Sequence, residues 1–167
     1  MYLIKTNHGD IKVELFDKEA PISAKNFDDY VKAGFYDGTI FHRVIPNFMI
    51  QCGGFNPDMK EKANKSASIK NEGGNGMQNK KYTLAMARTN VPDSATSQFY
   101  INVSDNSFLD RANAQDRVGY AVFGRVVEGQ EVVDAIASVK TATRGGHGDV
   151  PVEAVVIESI SKVAEPA

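Results

Sequence analysis

The 167-residue chain carries 19 Lys and Arg against 21 Asp and Glu, so its net charge of −2 gives no field that favours nucleic acid or an anionic membrane. Hydrophobic residues at 42% and charged residues at 24% place it among globular proteins, and the length fits one domain, 1–167. The single Cys52 excludes an intrachain disulfide and any cysteine-only metal site, and favours a reducing compartment.

The start, Met1-Tyr2-Leu3-Ile4-Lys5, has no apolar stretch behind a basic segment, so no signal peptide is expected and the expected location is the cytoplasm. Asn64-Lys65-Ser66 and Asn102-Val103-Ser104 then read as chance glycosylation sequons. Tyr2 to Thr6 and Ile11 to Phe16 read as two strands joined through Asn7-His8-Gly9-Asp10. Ile11, Val13 and Leu15 alternate with Lys12 and Glu14, which predicts one buried and one wet face. A helix follows. Pro21 suits its first turn, Ile22, Phe27, Tyr30 and Val31 recur at helical spacing, and Gly34 can end it.

Ile40 to Ile45 and Phe48 to Cys52 are the next strand candidates. Asn56 to Lys81 is long, polar and almost without apolar residues, and reads as a surface excursion. Beyond it lie strand candidates Thr83 to Ala87, Gln98 to Val103, Ala121 to Val127 and Ala154 to Ser161, and a second helix, Glu131 to Val139. Two helices among eight strands are not a βαβ alternation. The expected architecture is mainly β, a closed eight-stranded antiparallel barrel capped by two α-helices.

His8, His42 and His147 stand far apart with no partner at ligand spacing. Gly73-Gly74-Asn75-Gly76 and Gly145-Gly146-His147-Gly148 lack the Lys-Ser/Thr of a phosphate loop and read as turns. No Ser sits in a Gly-x-Ser-x-Gly elbow, and Cys52 lies in an apolar stretch where thiols are usually inert. No metal or cofactor is implied.

Phe41-His42-Arg43-Val44-Ile45-Pro46-Asn47-Phe48-Met49-Ile50-Gln51 carries more information. If its first half is a strand, Phe41, Arg43 and Ile45 share a face. Two readings of Arg43 stand side by side: a side chain snorkelling to a sheet edge, or a cationic donor at the rim of an apolar pocket. Phe48, Met49 and Gln51 would line that pocket, or belong to plain core. In Ser97-Gln98-Phe99-Tyr100-Ile101-Asn102, strand alternation sends Gln98 and Tyr100 one way and Phe99 and Ile101 into the core. Phe108-Leu109 is a further apolar pair in a polar loop.

Together these segments resemble the cyclophilins, peptidyl-prolyl cis–trans isomerases. The Phe41–Gln51 run matches the family's FHRxIPxFMxQ signature, and Leu84-Ala85-Met86-Ala87-Arg88 its L-[SA]-M-A segment. Ser97-Gln98-Phe99 matches SQFF up to its last residue, Val122-Phe123-Gly124-Arg125-Val126 the VFG-[KR]-V strand, and Ala20-Pro21 through Asn26-Phe27 the AP…NF helix. The likeness runs from Gly9 to about Ile160, and the layout is closest to the bacterial cytoplasmic subgroup.

The resemblance implies the roles. Arg43 would be the catalytic arginine, and Phe48, Met49, Tyr100 and Leu109 the proline pocket. Gln51, Ala87, Arg88 and Gln98 would hold the peptide or line its groove, with Phe108 and Tyr120 on the rim. Partners would be proline-containing peptides and folding proteins, met by a monomer. Cys52 stands where the family has Gly, which would strain a backbone with φ > 0 and otherwise change only the surface. Tyr100 replaces the second Phe of SQFF, adding a hydroxyl at the pocket. Phe108 replaces the Trp of strong cyclosporin receptors, and Tyr120 a His, so weak cyclosporin binding is expected. Two other classes remain: a non-catalytic proline-peptide binding module or chaperone, and nucleic-acid binding through Lys60, Lys62, Lys65 and Lys80-Lys81. The acidic Asp58, Glu61 and Glu72 in the same loop speak against the last.

Overall fold

The computed structural model describes residues 1–62, 67–110, 114, 117–144 and 146–163. The sequon at Asn64-Lys65-Ser66, Lys65 of the basic cluster and Gly145 lie outside them. The strands are β1 (Tyr2–Thr6), β2 (Gly9–Leu15), β3 (Phe41–Ile45), β4 (Met49–Cys52), β5 (Thr83–Met86) and β6 (Phe99–Asn102), then β7 (Val122–Glu128), β8 (Thr141–Arg144), β9 (His147–Pro151) and β10 (Ile157–Lys162). The helices are α1 (Pro21–Lys32) and α2 (Gln130–Ala137). No helix among the described residues is long and apolar enough to cross a membrane.

Eight strands form one antiparallel sheet in the order β10-β1-β2-β7-β5-β6-β4-β3. The eight expected strands are all present, but a closed ladder is not. The end strands β3 and β10 do not pair along their length; the sheet curls until Ile40 and Val156 form an isolated bridge. Phe41 N–H to Val155 O at 3.0 Å and Ile157 N–H to Thr39 O at 2.8 Å brace that seam. The remaining pair, β8 and β9, was not expected. Thr-Ala-Thr-Arg and His-Gly-Asp-Val offer no apolar alternation, and the hairpin is mostly exposed. Gly146, with φ 81°, turns there, while His147 and Gly148 belong to β9.

The core fills the curl. Phe27 of α1 meets Tyr2, Tyr36, Phe99 and Phe123 at centroid distances of 5.2, 5.5, 5.4 and 5.6 Å. Val133 and Ile136 of α2 join the same cluster. One expected member of the α1 stripe is absent: Ile22 is 41% exposed, because the buried face runs through Ser23, Ala24, Asn26, Phe27 and Tyr30.

The start of α1 has Pro21 in its first turn but no side-chain cap of its own, since the N-cap residue is Ala20. The cap comes from the long polar loop. Glu72 accepts from Ile22 N–H at 3.2 Å and Ser23 N–H at 2.6 Å, placing a carboxylate on the positive end of the helix. That loop is thus no mere surface excursion. Met77 also packs into the site cluster, and Asn79 is buried. Glu72→Ala is expected to cost about 1 kcal/mol and lower Tm by about 2–4 °C in a thermal melt.

Candidate active site

The sheet has two apolar faces, and strand alternation separates them. On β4, Ile50 and Cys52 enter the main core, while Met49 and Gln51 face the other way. On β6, Phe99 and Ile101 are core and Tyr100 is not; on β5, Leu84 and Met86 are core and Ala85 is not. Met49, Ala85, Tyr100 and Val122 form a second buried cluster on that outer face.

β3 departs from simple alternation. Phe41 pairs with Cys52 and Arg43 with Gln51, so His42 is extra and the strand bulges. Phe41 therefore turns into the core with Val44, and Arg43 reaches the outer face opposite Gln51. The expectation that Phe41, Arg43 and Ile45 share one face is corrected by this bulge; Arg43 and Ile45 do, Phe41 does not.

The result is a cleft of about 140 Å³ lined by Arg43, Phe48, Met49, Gln51, Ala87, Arg88, Tyr100, Leu109 and Tyr120. Nine of the eleven residues singled out from sequence thus meet in one cavity. The other two stand beside it. Gln98 accepts a hydrogen bond from Gln51 Nε2 at 2.9 Å, and Phe108, 56% exposed, stacks on Phe48 at 5.7 Å. Gln98 lies so close over Gly54 that a Cβ there would sit 2.5 Å from its Cγ.

The turns set the walls. Asn47 takes the left-handed conformation (φ 62°) between β3 and β4, which Asn tolerates well, and Phe48 projects from that turn. A short 3₁₀ turn, Ser107–Leu109, carries Phe108 and Leu109. Tyr120 N–H donates to Leu109 O at 3.0 Å, and the Tyr120 ring meets Tyr100 edge-on at 6.0 Å. Arg88 lies over the Tyr120 ring at 4.3 Å and donates to Gly119 O at 2.7 Å, so it builds the wall as well as lining it.

Of the four departures from the family's pattern, Tyr120 stands in the cleft lining beside Tyr100. Cys52 is fully buried in the main core with ordinary backbone; the positive φ falls at the next residue, Gly53 (φ 92°). It changes neither the pocket nor the surface, and burial pushes its thiol pKa up, away from reactivity. The Tyr100 hydroxyl does not enter the cleft. It donates to Asn79 Oδ1 at 2.8 Å beneath the floor, and burial raises its pKa, with Tyr120 and Asp110 adding to the rise. Phe108 is the exposed rim ring.

His42, the bulge residue, is buried, and its Nδ1 has no hydrogen-bond partner among the described residues. Phe55 stacks on it at 4.4 Å and His147 of β9 lies beyond at 5.2 Å from Phe55. Burial first, then the nearby His147 and Arg43, lowers its pKa to about 4, against an upward pull from Glu61. The unfolded chain binds that proton near pH 6.5, the folded chain near 4. The stability this contributes is full above about pH 6.5 and is lost as the pH falls towards 4, a change of up to about 3 kcal/mol. Denaturant melts at pH 7 and pH 4.5 should show that loss, and a His42→Asn variant should show much less of it.

The sequence reading missed a layer beneath the site. Asn79, Asn102 and Asn106 are all buried and hydrogen-bonded to one another. Asn102 carried a signal, a polar residue ending an apolar strand; Asn79, in a loop of similar residues, carried none.

Comparisons with known proteins show the family. A sequence model described as cyclophilin type peptidyl-prolyl cis-trans isomerase/CLD matches residues 1–162. A peptidyl-prolyl cis-trans isomerase of Acinetobacter baylyi is 60% identical over 160 residues, 96% of this chain and 84% of that protein. Peptidyl-prolyl cis-trans isomerase B of Escherichia coli is 55% identical over 162 residues, 96% and 98% of the two chains. The crystal structure of a Cryptosporidium parvum cyclophilin type isomerase, obtained in the presence of the dipeptide Ala-Pro, superposes with a TM-score of 0.83 at 27% identity, covering 98% of this chain and 99% of that one. With its curled antiparallel sheet, its two helices and this cleft, the chain belongs to the cyclophilin-type peptidyl-prolyl cis–trans isomerases.

Proposed function

We propose that the cleft accelerates rotation about X–Pro bonds in peptides and folding proteins, with Arg43 as the catalytic residue. The barrier, about 18–20 kcal/mol, comes from amide resonance. A twisted amide has a pyramidal prolyl nitrogen that accepts a hydrogen bond, which the planar amide does not. A guanidinium beside that nitrogen binds the twisted form more strongly, which lowers the barrier. Arg suits this because it stays charged and has fixed donors. The observation that carries the reading is the β3 bulge, which brings Arg43 into the lining of the cleft with Phe48, Met49 and Leu109 rather than into the core.

Phe48, Met49, Tyr100 and Leu109 would hold the proline ring. Gln51, braced by Gln98, would hold the peptide backbone. Ala87 and Arg88 would line the groove, with Phe108 and Tyr120 on the rim. A non-catalytic binding module would need Cys52 or Tyr100 to spoil the pocket. The first points into the core and the second keeps its hydroxyl out of the cleft, so neither favours that reading. One buried thiol suits a reducing compartment, and the cytoplasm is the proposed location.

The test is the rate of cis-to-trans conversion of an X–Pro tetrapeptide with wild-type protein, with refolding of a protein limited by proline isomerisation as the second readout. Both should accelerate in proportion to added enzyme. No acceleration by folded protein would return the binding-module reading. Titration with cyclosporin should give weak binding, because Phe108 offers no indole; a nanomolar Kd would contradict that.

A further inference from the structure

We infer that Asn79 is a positioning residue for the proline pocket, the hub of a buried hydrogen-bond network that holds the floor and two walls in register. The inference rests on the isomerase reading of the cleft. Asn79 comes from the long polar loop, lies behind the cleft rather than in its lining, and is only 1% exposed.

Its side-chain oxygen accepts from the floor residue, through Tyr100 Oη–H at 2.8 Å, and from Asn102 Nδ2 at 3.2 Å. Its Nδ2 donates to Asp110 Oδ1 at 2.9 Å, and its backbone N–H donates to the same oxygen at 2.6 Å. Asp110 follows Leu109 directly, so this pair anchors the 3₁₀ turn that carries the second wall. The backbone oxygen of Asn79 accepts from Asn106 N–H at 2.8 Å. Asn106 Nδ2 in turn donates to Phe48 O at 2.7 Å, which ties down the first wall, and to Asn102 Oδ1 at 2.8 Å. Both side-chain polar atoms of Asn79 are engaged, and each bond has a direction.

Apolar packing alone does not supply that direction at an exposed rim. Hydrogen bonds do, and in a buried network each partner is costly to orphan. If the side chain at position 79 stops donating and repels instead, the Asp110 carboxylate keeps only the backbone N–H of residue 79, and the adjoining Leu109 loses its fixed position. Arg43 lies on β3 outside the network, so the group proposed to act on the amide stays in place. The ring anchor serves planar and twisted amides alike, so loosening it raises KM more than it lowers kcat.

The test exchanges the partners. Asn79→Asp sets a second carboxylate oxygen within hydrogen-bond distance of Asp110 Oδ1, where like charges repel. On an X–Pro tetrapeptide at low temperature and pH 7, KM should rise about tenfold with kcat changed less than about twofold. The double variant Asn79→Asp with Asp110→Asn removes the like-charge contact: the amide at position 110 would keep its oxygen on the backbone N–H of residue 79 and turn its nitrogen to the new carboxylate, which would also accept from Tyr100 and Asn102. Its KM should return to within about twofold of wild type. If the single variant lowers Tm but leaves KM unchanged, or if the double variant recovers Tm without recovering KM, the network is only structural and the inference falls. Should Asn79→Asp fail to fold, Tyr100→Phe removes one bond while keeping the ring, and should raise KM by about two- to threefold at constant kcat; unchanged KM there overturns the proposal. If wild type shows no turnover, the isomerase reading fails separately, and Kd for an Ala-Pro peptide by NMR titration replaces KM with the same expected ratios.

Discussion

Arg43→Ala is expected to lower kcat/KM for X–Pro peptides by about 100- to 1000-fold, most of it in kcat, with Tm essentially unchanged. The size follows from removing one preorganised donor aimed at a polar transition state. Stability should survive because the side chain is exposed and no hydrogen bond or ion pair holds it among the described residues. Arg43→Lys is a sharper variant, since it keeps the charge but loses the planar fork. It should recover only a small part of the rate. Equal rates for wild type and Arg43→Ala would remove Arg43 from the mechanism.

The largest effect on stability is expected at the centre of the core. Phe27→Ala should cost about 3–5 kcal/mol and lower Tm by about 10 °C or more. Its ring is fully buried and joins α1 to β1, β6 and β7 through edge-on or tilted contacts with Tyr2, Phe99 and Phe123. Those contacts are lost together with the buried area, and the surrounding rings are too large to collapse into the gap. Ile22→Ala on the same helix is the internal control: being 41% exposed, it should cost well under 1 kcal/mol. A loss at Phe27 no larger than that at Ile22 would mean the helix does not pack as described.

How much of this was legible in the sequence depended on whether a local pattern carried it. In β4 and β6 the two-residue alternation of a strand is enough to put Met49, Gln51 and Tyr100 on one face, away from Ile50, Phe99 and Ile101. The same rule misplaces Phe41, because one extra residue at His42 reverses the face and leaves no trace in residue type. Pro21 and Gly34 mark the ends of α1 correctly, yet Ile22 looks like core because periodicity alone does not say which side of a stripe is covered. The β8–β9 hairpin is invisible for the opposite reason: it buries little, so its residues need not alternate. Long-range polar bonds are the least legible. Nothing in the residue types near Glu72 announces a cap for a helix 49 positions away, nor does Asn79 announce a bond to Asp110.

The most direct test of the central claim is exchange spectroscopy on an Ala-Pro peptide held with wild-type protein or Arg43→Ala. Wild type should give cis–trans exchange cross-peaks and the variant should lose them, while peptide chemical shifts show that the variant still binds. Undiminished exchange with Arg43→Ala would contradict the claim.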